Sequence, residues 1–183
     1  MDLDALGDCL RRVTVEVMAS GRVVGAGVVW APEWVVTNAH VIRQPRVVVR
    51  LPDDRPADGR VVARDRDADL AVLRVPGLGL PGATSAESGT VRVGSLVIAI
   101  GHPFGMRGAL AMGIVHAVGP VALAGRPWIQ ADLRLAPGNS GGPLADARGY
   151  LLGLNAMTVG NLALAIPVGE VRRFVRAAGV PLA

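Results

Sequence analysis

The chain contains no lysine, a single cysteine and very few aromatics, 3% of its 183 residues. One cysteine, Cys9, excludes an internal disulfide. Cys9 lies in an amphipathic stretch with no supporting motif, which reads as a small buried hydrophobe rather than a reactive thiol. No apolar run is long enough to span a membrane. The opening Met1-Asp2-Leu3-Asp4 lacks the basic and apolar regions of a secretory leader. As written the chain carries no export route, as expected for a cytoplasmic protein or for a piece of a longer one. The net charge of +4 rests on arginines scattered singly and in pairs. That pattern gives a solvated, mildly basic surface and no nucleic-acid partner. Three histidines and one cysteine form no cluster with metal-ligand spacing, so neither a metal nor a cofactor is expected.

What the chain has is aliphatic and turn-forming. Hydrophobic residues make up 51%, beside 24 glycines and 13 prolines. Val, Leu, Ala and Ile must build the core, and short strands separated by turns are the expected form. Leu3, Leu6 and Leu10 mark a short first helix over residues 2–12. Within 11–19, Val13, Val15 and Val17 then alternate as in a half-buried strand. Further strands are expected at 23–30, 34–37, 47–51, 60–64 and 70–75, with 52–59 as a polar loop. A Gly/Pro/Ser/Ala-rich connector follows, and then a second set at 96–100, 109–118, 128–132, 143–145, 150–155 and 162–166. Val171, Phe174 and Val175 mark a last helix over 168–178, with Gly179 as its stop. The pattern implies an all-β protein: two six-stranded antiparallel barrels and a C-terminal helix. The expected units are an N-terminal barrel (11–76), a linker (77–92), a C-terminal barrel (93–167) and the helix.

The chemistry concentrates in Pro137-Gly138-Asn139-Ser140-Gly141-Gly142-Pro143. A serine ringed by glycines can present its hydroxyl on a tight turn, with backbone N–H groups converging on a neighbouring oxyanion. Two fragments precede it. Thr37-Asn38-Ala39-His40-Val41 offers a base, and Asp69-Leu70-Ala71-Val72-Leu73 offers an acid. In this order, His40 takes the Ser140 proton and returns it to the leaving amine, while Asp69 fixes the imidazole tautomer. The turn Gly138-Asn139-Ser140 supplies the oxyanion hole, through the N–H groups of Gly138 and Ser140. Each of the three residues alone is more often structural than catalytic; their joint occurrence in these contexts reverses that. His102 and His116 read as loop or strand histidines without a role in catalysis.

These segments resemble the protease domain of the HtrA/Deg family of chymotrypsin-fold serine proteases, from about Val13 to Phe174. The resemblance also rests on Gly25-Ala26-Gly27-Val28-Val29, Ala99-Ile100-Gly101-His102-Pro103-Phe104-Gly105, Ile129-Gln130-Ala131-Asp132, Leu152-Gly153-Leu154-Asn155 and Leu164-Ala165-Ile166-Pro167. It implies His40, Asp69 and Ser140 as the triad, and cleavage of unfolded or misfolded polypeptide without ATP or metal. A catalytically silent peptide-binding module on the same fold is the alternative. Arg134, Leu135 and Ala136 are expected to wall the primary specificity pocket. Leu135 favours small or medium aliphatic side chains there, and an inward Arg134 would favour acidic ones. The strand 155–158, with Asn155, Ala156 and Met157, is expected to pair with substrate backbone. Asn139 stands where trypsin-like digestive enzymes carry Asp, so activation by a newly cut N-terminus is not expected. Family members usually carry PDZ domains after the protease and many form trimers through an aromatic N-terminal segment. This chain stops at Ala183 and has no aromatic before Trp30, so PDZ regulation is not expected and a homo-oligomer stays open.

Overall fold

A computed structural model describes residues 2–87, 89–120 and 125–181. The first barrel is built from β1 (Thr14–Ala19), β2 (Arg22–Ala31), β3 (Trp34–Thr37), β4 (Arg46–Arg50), β5 (Pro56–Asp65) and β6 (Leu70–Arg74). The second contains β7 (Leu96–Gly101), β8 (Ala109–Pro120), β9 (Pro127–Asp132), β10 (Pro143–Asp146), β11 (Leu151–Val159) and β12 (Leu162–Pro167). Each closes, in the orders β1-β2-β3-β6-β5-β4 and β10-β11-β12-β9-β8-β7. Helix α1 (Leu3–Arg12) packs Leu10 against Ile98, Ile100 and Ala145 of the second barrel, and α2 (Val168–Ala177) closes the chain. This is the expected chymotrypsin-like architecture. No helix among the described residues is long and apolar enough to cross a membrane.

Local chemistry accounts for the elements and for three departures. The side chain of Asp2 accepts from the N–H groups of Asp4 and Ala5 and caps α1, which runs through Arg12, so β1 begins at Thr14. Cys9 is exposed, not buried: the inward face of α1 is taken by Gly7 and Leu10. The segment 52–59 is a loop only in its first half. β5 starts at Pro56, where a missing N–H is tolerated, and pairs with β4 from Arg50↔Pro56 to Arg46↔Arg60.

The main core does not respect the barrel boundary. It joins Val15, Val17, Trp30, Val35, Val49 and Leu73 of the first barrel to Trp128, Leu154 and Ile166 of the second, with Val171 and Val175 of α2. The barrels also touch through backbone. Ala26 on β2 donates to the carbonyl of Ser140 at 2.8 Å, and the Thr37 hydroxyl donates to the Ala26 carbonyl at 2.7 Å. Side chains have no room there. A Cβ on Gly141 (φ 84) would overlap the Ala26 carbonyl, and one on Gly25 would lie 2.9 Å from the Ser140 carbonyl.

His102 follows β7 and is 5% exposed. Its Nδ1 accepts from Gly108 N–H at 3.2 Å. Burial, opposed by the Val15 carbonyl and reinforced by the Arg107 charge, depresses its pKa to about 4. In an unfolded chain the imidazole protonates at its ordinary value, 6.5. Stability owed to a neutral His102 is therefore complete above pH 6.5 and falls as the pH drops towards 4, by up to about 3 kcal/mol. Replacing His102 with Asn retains an acceptor and removes the titration. Thermal melts of His102→Asn should lose less stability than the parent over that window; parallel curves would show that His102 does not carry the loss.

Candidate active site

The register between β3 and β6 sets the first half of the site. Thr37 pairs with Ala71 at the end of the ladder, so the residues just after β3 lie beside those just before β6. A 3-10 turn, Ala39–Val41, carries His40. Asp69 sits in the left-handed region at φ 52, in a turn whose Asp65 carboxylate accepts from the N–H groups of Asp67 and Ala68. His40 Nδ1 lies 2.8 and 3.0 Å from the two Asp69 carboxylate oxygens, and the His40 backbone N–H donates to the same carboxylate at 2.9 Å. A donating Nδ1–H leaves Nε2 as the acceptor on the outer side of the ring. Asp69 is 9% exposed.

Two residues that sequence reasoning passed over brace this pair. Asn38 is fully buried and donates from Nδ2 to the Asp69 carbonyl at 3.1 Å. Arg64 donates to the Ala39 carbonyl at 2.7 Å. Asn38 was visible beside His40, but Arg64 is 24 residues from it in sequence. Only the β5–β6 pairing, Arg64↔Ala71, brings it to the histidine turn.

The second barrel supplies the other wall. His40 and Ser140 line one open cleft, with Val24, Leu135, Ala136, Gly138, Ala156 and Met157. The Ser140 hydroxyl donates to the Ala156 carbonyl at 2.9 Å. The turn before it is held from behind: His102 N–H donates to the Gly138 carbonyl at 3.0 Å, and Phe104 N–H to the Pro137 carbonyl at 3.1 Å. A trans peptide points its C=O and N–H in opposite directions. With the Pro137 carbonyl taken by Phe104, the Gly138 N–H turns away from that segment. Asn139 N–H is committed to the Ala136 carbonyl at 3.0 Å, whereas no described residue accepts from Gly138 or Ser140 N–H. Gly138 has φ 107, and a Cβ there would overlap the His102 carbonyl.

The expected substrate-binding residues divide. Leu135, Ala136, Ala156 and Met157 line the cleft. Arg134 is exposed and does not line it. Asn155 is fully buried, and its hydrogen bonds stay inside the chain: N–H to Gly142 O, C=O from Gly141 N–H, and side chain to Pro143 O. It braces the Ser140 loop from inside. Thr158, the end of the expected substrate-pairing strand, lines the cleft too, and Val24 lines it without having been anticipated.

The trypsin-like peptidase domain family matches residues 25–154. A probable periplasmic serine endoprotease, DegP-like, of Ectopseudomonas mendocina is 37% identical over 137 residues, 73% of this chain and 29% of that protein. The putative serine protease HhoA of Synechocystis is 38% identical over 150 residues, 75% of this chain and 38% of that protein. The chain thus spans well under half the length of either relative. Among solved structures, the HtrA-type protease AlgW with decapeptide superposes with a TM-score of 0.89 at 26% identity, over 97% of this chain and 67% of that one. This chain belongs to the trypsin-like peptidase domain family, and the relatives it resembles are HtrA-type serine proteases.

Proposed function

We propose that this domain hydrolyses peptide bonds in extended, unfolded polypeptide through an acyl-enzyme on Ser140. The observation that carries this reading is the carboxylate-held imidazole of His40 in one cleft with Ser140, whose turn leaves the Gly138 and Ser140 N–H groups unclaimed. In the reaction, His40 Nε2 takes the Ser140 proton as Oγ attacks the scissile carbonyl. The Gly138 and Ser140 N–H groups donate to the developing oxyanion, and the imidazolium is stabilised by Asp69. Collapse expels the amine, which takes the proton back from His40. Water then attacks the ester by the same route and frees Ser140.

Substrate binds as an added strand. β10 pairs with β11 only from Leu151 to Leu154, so beyond a bulge at Asn155/Met157 that side of β11 has no strand partner among the described residues and borders the cleft. A substrate N–H can replace the Ser140 hydroxyl on the Ala156 carbonyl, which frees Oγ to turn towards His40. Main-chain pairing of this kind requires an extended chain and little sequence. Leu135, Ala136, Ala156 and Met157 make an apolar wall for the side chain before the scissile bond, and Arg134 stands outside it.

Digestion of unfolded casein followed by mass spectrometry tests the assignment. Ser140→Ala should lower kcat by roughly 10⁶-fold and leave the melting curve in place. Equal cleavage by parent and variant would end the serine mechanism; no cleavage by the parent, with peptide affinity retained in both, would favour the silent binding module. Cuts should follow small or medium aliphatic residues, and a majority after Asp or Glu would contradict the apolar wall. In Gly138→Ala, the added Cβ meets the His102 carbonyl and disturbs the turn, so kcat should fall by about 10²–10³ with a modest change in KM. A rise in KM alone would place Gly138 in substrate binding.

A further inference from the structure

The oxyanion turn depends on a neighbouring segment, 102–108, whose His102 and Phe104 N–H groups hold the Gly138 and Pro137 carbonyls. The segment is folded tightly on itself: Gly105 N–H donates to His102 O, Met106 N–H to Pro103 O, and Gly108 N–H to His102 Nδ1. Its end rejoins its own barrel at Ala109, paired with Gly101, but the side chain just before that point does not stay there. Arg107 crosses to the first barrel and spends its whole guanidinium there. Nε lies 3.3 Å from Glu16 Oε1, Nη2 donates to the Leu51 carbonyl at 2.8 Å, and Nη1 pairs with Asp54. The α1 side chain Arg11 adds a bond to the Gly108 carbonyl at 2.9 Å.

Glu16 gives this crossing its direction. It lies on β1 opposite Arg50 and is 1% exposed. Its other oxygen, Oε2, has no hydrogen bond among the described residues and lies 3.7 Å from Arg50 Nε; His102 Nδ1 stands 3.8 Å from Oε1. A buried carboxylate is strongly unfavourable without a cation. Arg107 holds the shorter of its two arginine contacts, so outward movement of the segment leaves the buried carboxylate with the longer Arg50 contact alone.

We propose that Glu16 and Arg107 form a latch between the barrels and act as positioning residues for the oxyanion hole. The peptide between Pro137 and Gly138 is the part they hold. Gly138 has no side chain to resist rotation of that peptide, so its orientation rests on the bond from Phe104 N–H to the Pro137 carbonyl, with His102 N–H holding the Gly138 carbonyl of the next peptide. Releasing the latch lets a flipped peptide compete, with a carbonyl in place of a donor at the cleft. A ligand or variant that biases such an equilibrium changes the fraction of competent molecules. The hole acts on the transition state, so kcat falls and KM stays. The inference rests on the proteolytic reading for its kinetic consequence, but not for its structural one.

The test compares the parent with Arg107→Met, which keeps an apolar stem, with Glu16→Gln, and with the double variant. Each single change should lower kcat about tenfold, with KM within about twofold, and the double should be no worse than Arg107→Met alone. Arg107→Lys keeps the charge without the fork and should recover part of the loss. Independently of cleavage, the backbone amide resonance of Gly138 should shift in both single variants, in a Ser140→Ala background. An unmoved Gly138 amide overturns the latch whether or not the parent cleaves protein. A raised KM at constant kcat, or fully additive losses, overturns it as well. If Arg107→Met fails to melt cooperatively, Glu16→Gln, close to isosteric, decides by the same readouts.

Discussion

One backbone hydrogen bond, from Ala26 N–H to the Ser140 carbonyl, sets the geometry on which the rest depends. The histidine and the aspartate belong to the first barrel and the serine to the second, 71 residues beyond Asp69. Nothing covalent nearby relates them. The bond is worth only about 1 kcal/mol, as neutral hydrogen bonds are. Its importance is positional: it requires two main chains to lie in direct contact, which side chains at 25 and 141 would prevent. The Thr37 hydroxyl then fixes the Ala26 carbonyl, and Thr37 ends the strand that delivers His40. The same few atoms therefore locate the Ser140 loop and the His40 turn.

The two halves of the site are held by different means. His40 and Asp69 sit at adjacent strand ends and are braced by Asn38 and Arg64, so their geometry follows from one sheet register. The serine turn has no such ladder. It is a loop pinned by carbonyls, and its hydroxyl rests on Ala156. On the proteolytic reading this asymmetry is useful. The general base is preset, whereas the nucleophile and the oxyanion donors respond to what occupies the cleft.

Much of this was legible because the chemistry is local in sequence. Alternation around Val15 and Val17, the glycine-ringed Ser140 and the strand-end placing of Asp69 could all be read directly. Other features needed the pairing. The segment 52–59 looked like loop because it is polar, yet β5 begins within it at Pro56, since the first position of a strand tolerates proline. Asn155 looked like part of a substrate-facing strand, but β11 turns that side chain into the loop it supports. Glu16 is the clearest case. Between Val15 and Val17 it reads as the outward, solvated member of an alternating strand. Outward from the first barrel is here inward to the interface, and alternation cannot distinguish the two.

That burial bears on why an ion pair stands at this point. Buried pairs are poor stabilisers, since desolvation offsets most of the attraction, and a well-packed aliphatic pair is often as good. Stability alone therefore gives weak reason for Glu16 and Arg107. An aliphatic pair, however, tolerates sliding and rotation, because dispersion is non-directional. A guanidinium bound to one carboxylate, one carbonyl and Asp54 resists both. The segment that Arg107 ends is the one whose N–H groups fix the peptide ahead of Ser140. Directional bonding is thus concentrated where an error of one peptide orientation would exchange a donor for an acceptor, and apolar packing carries the remainder of the interface.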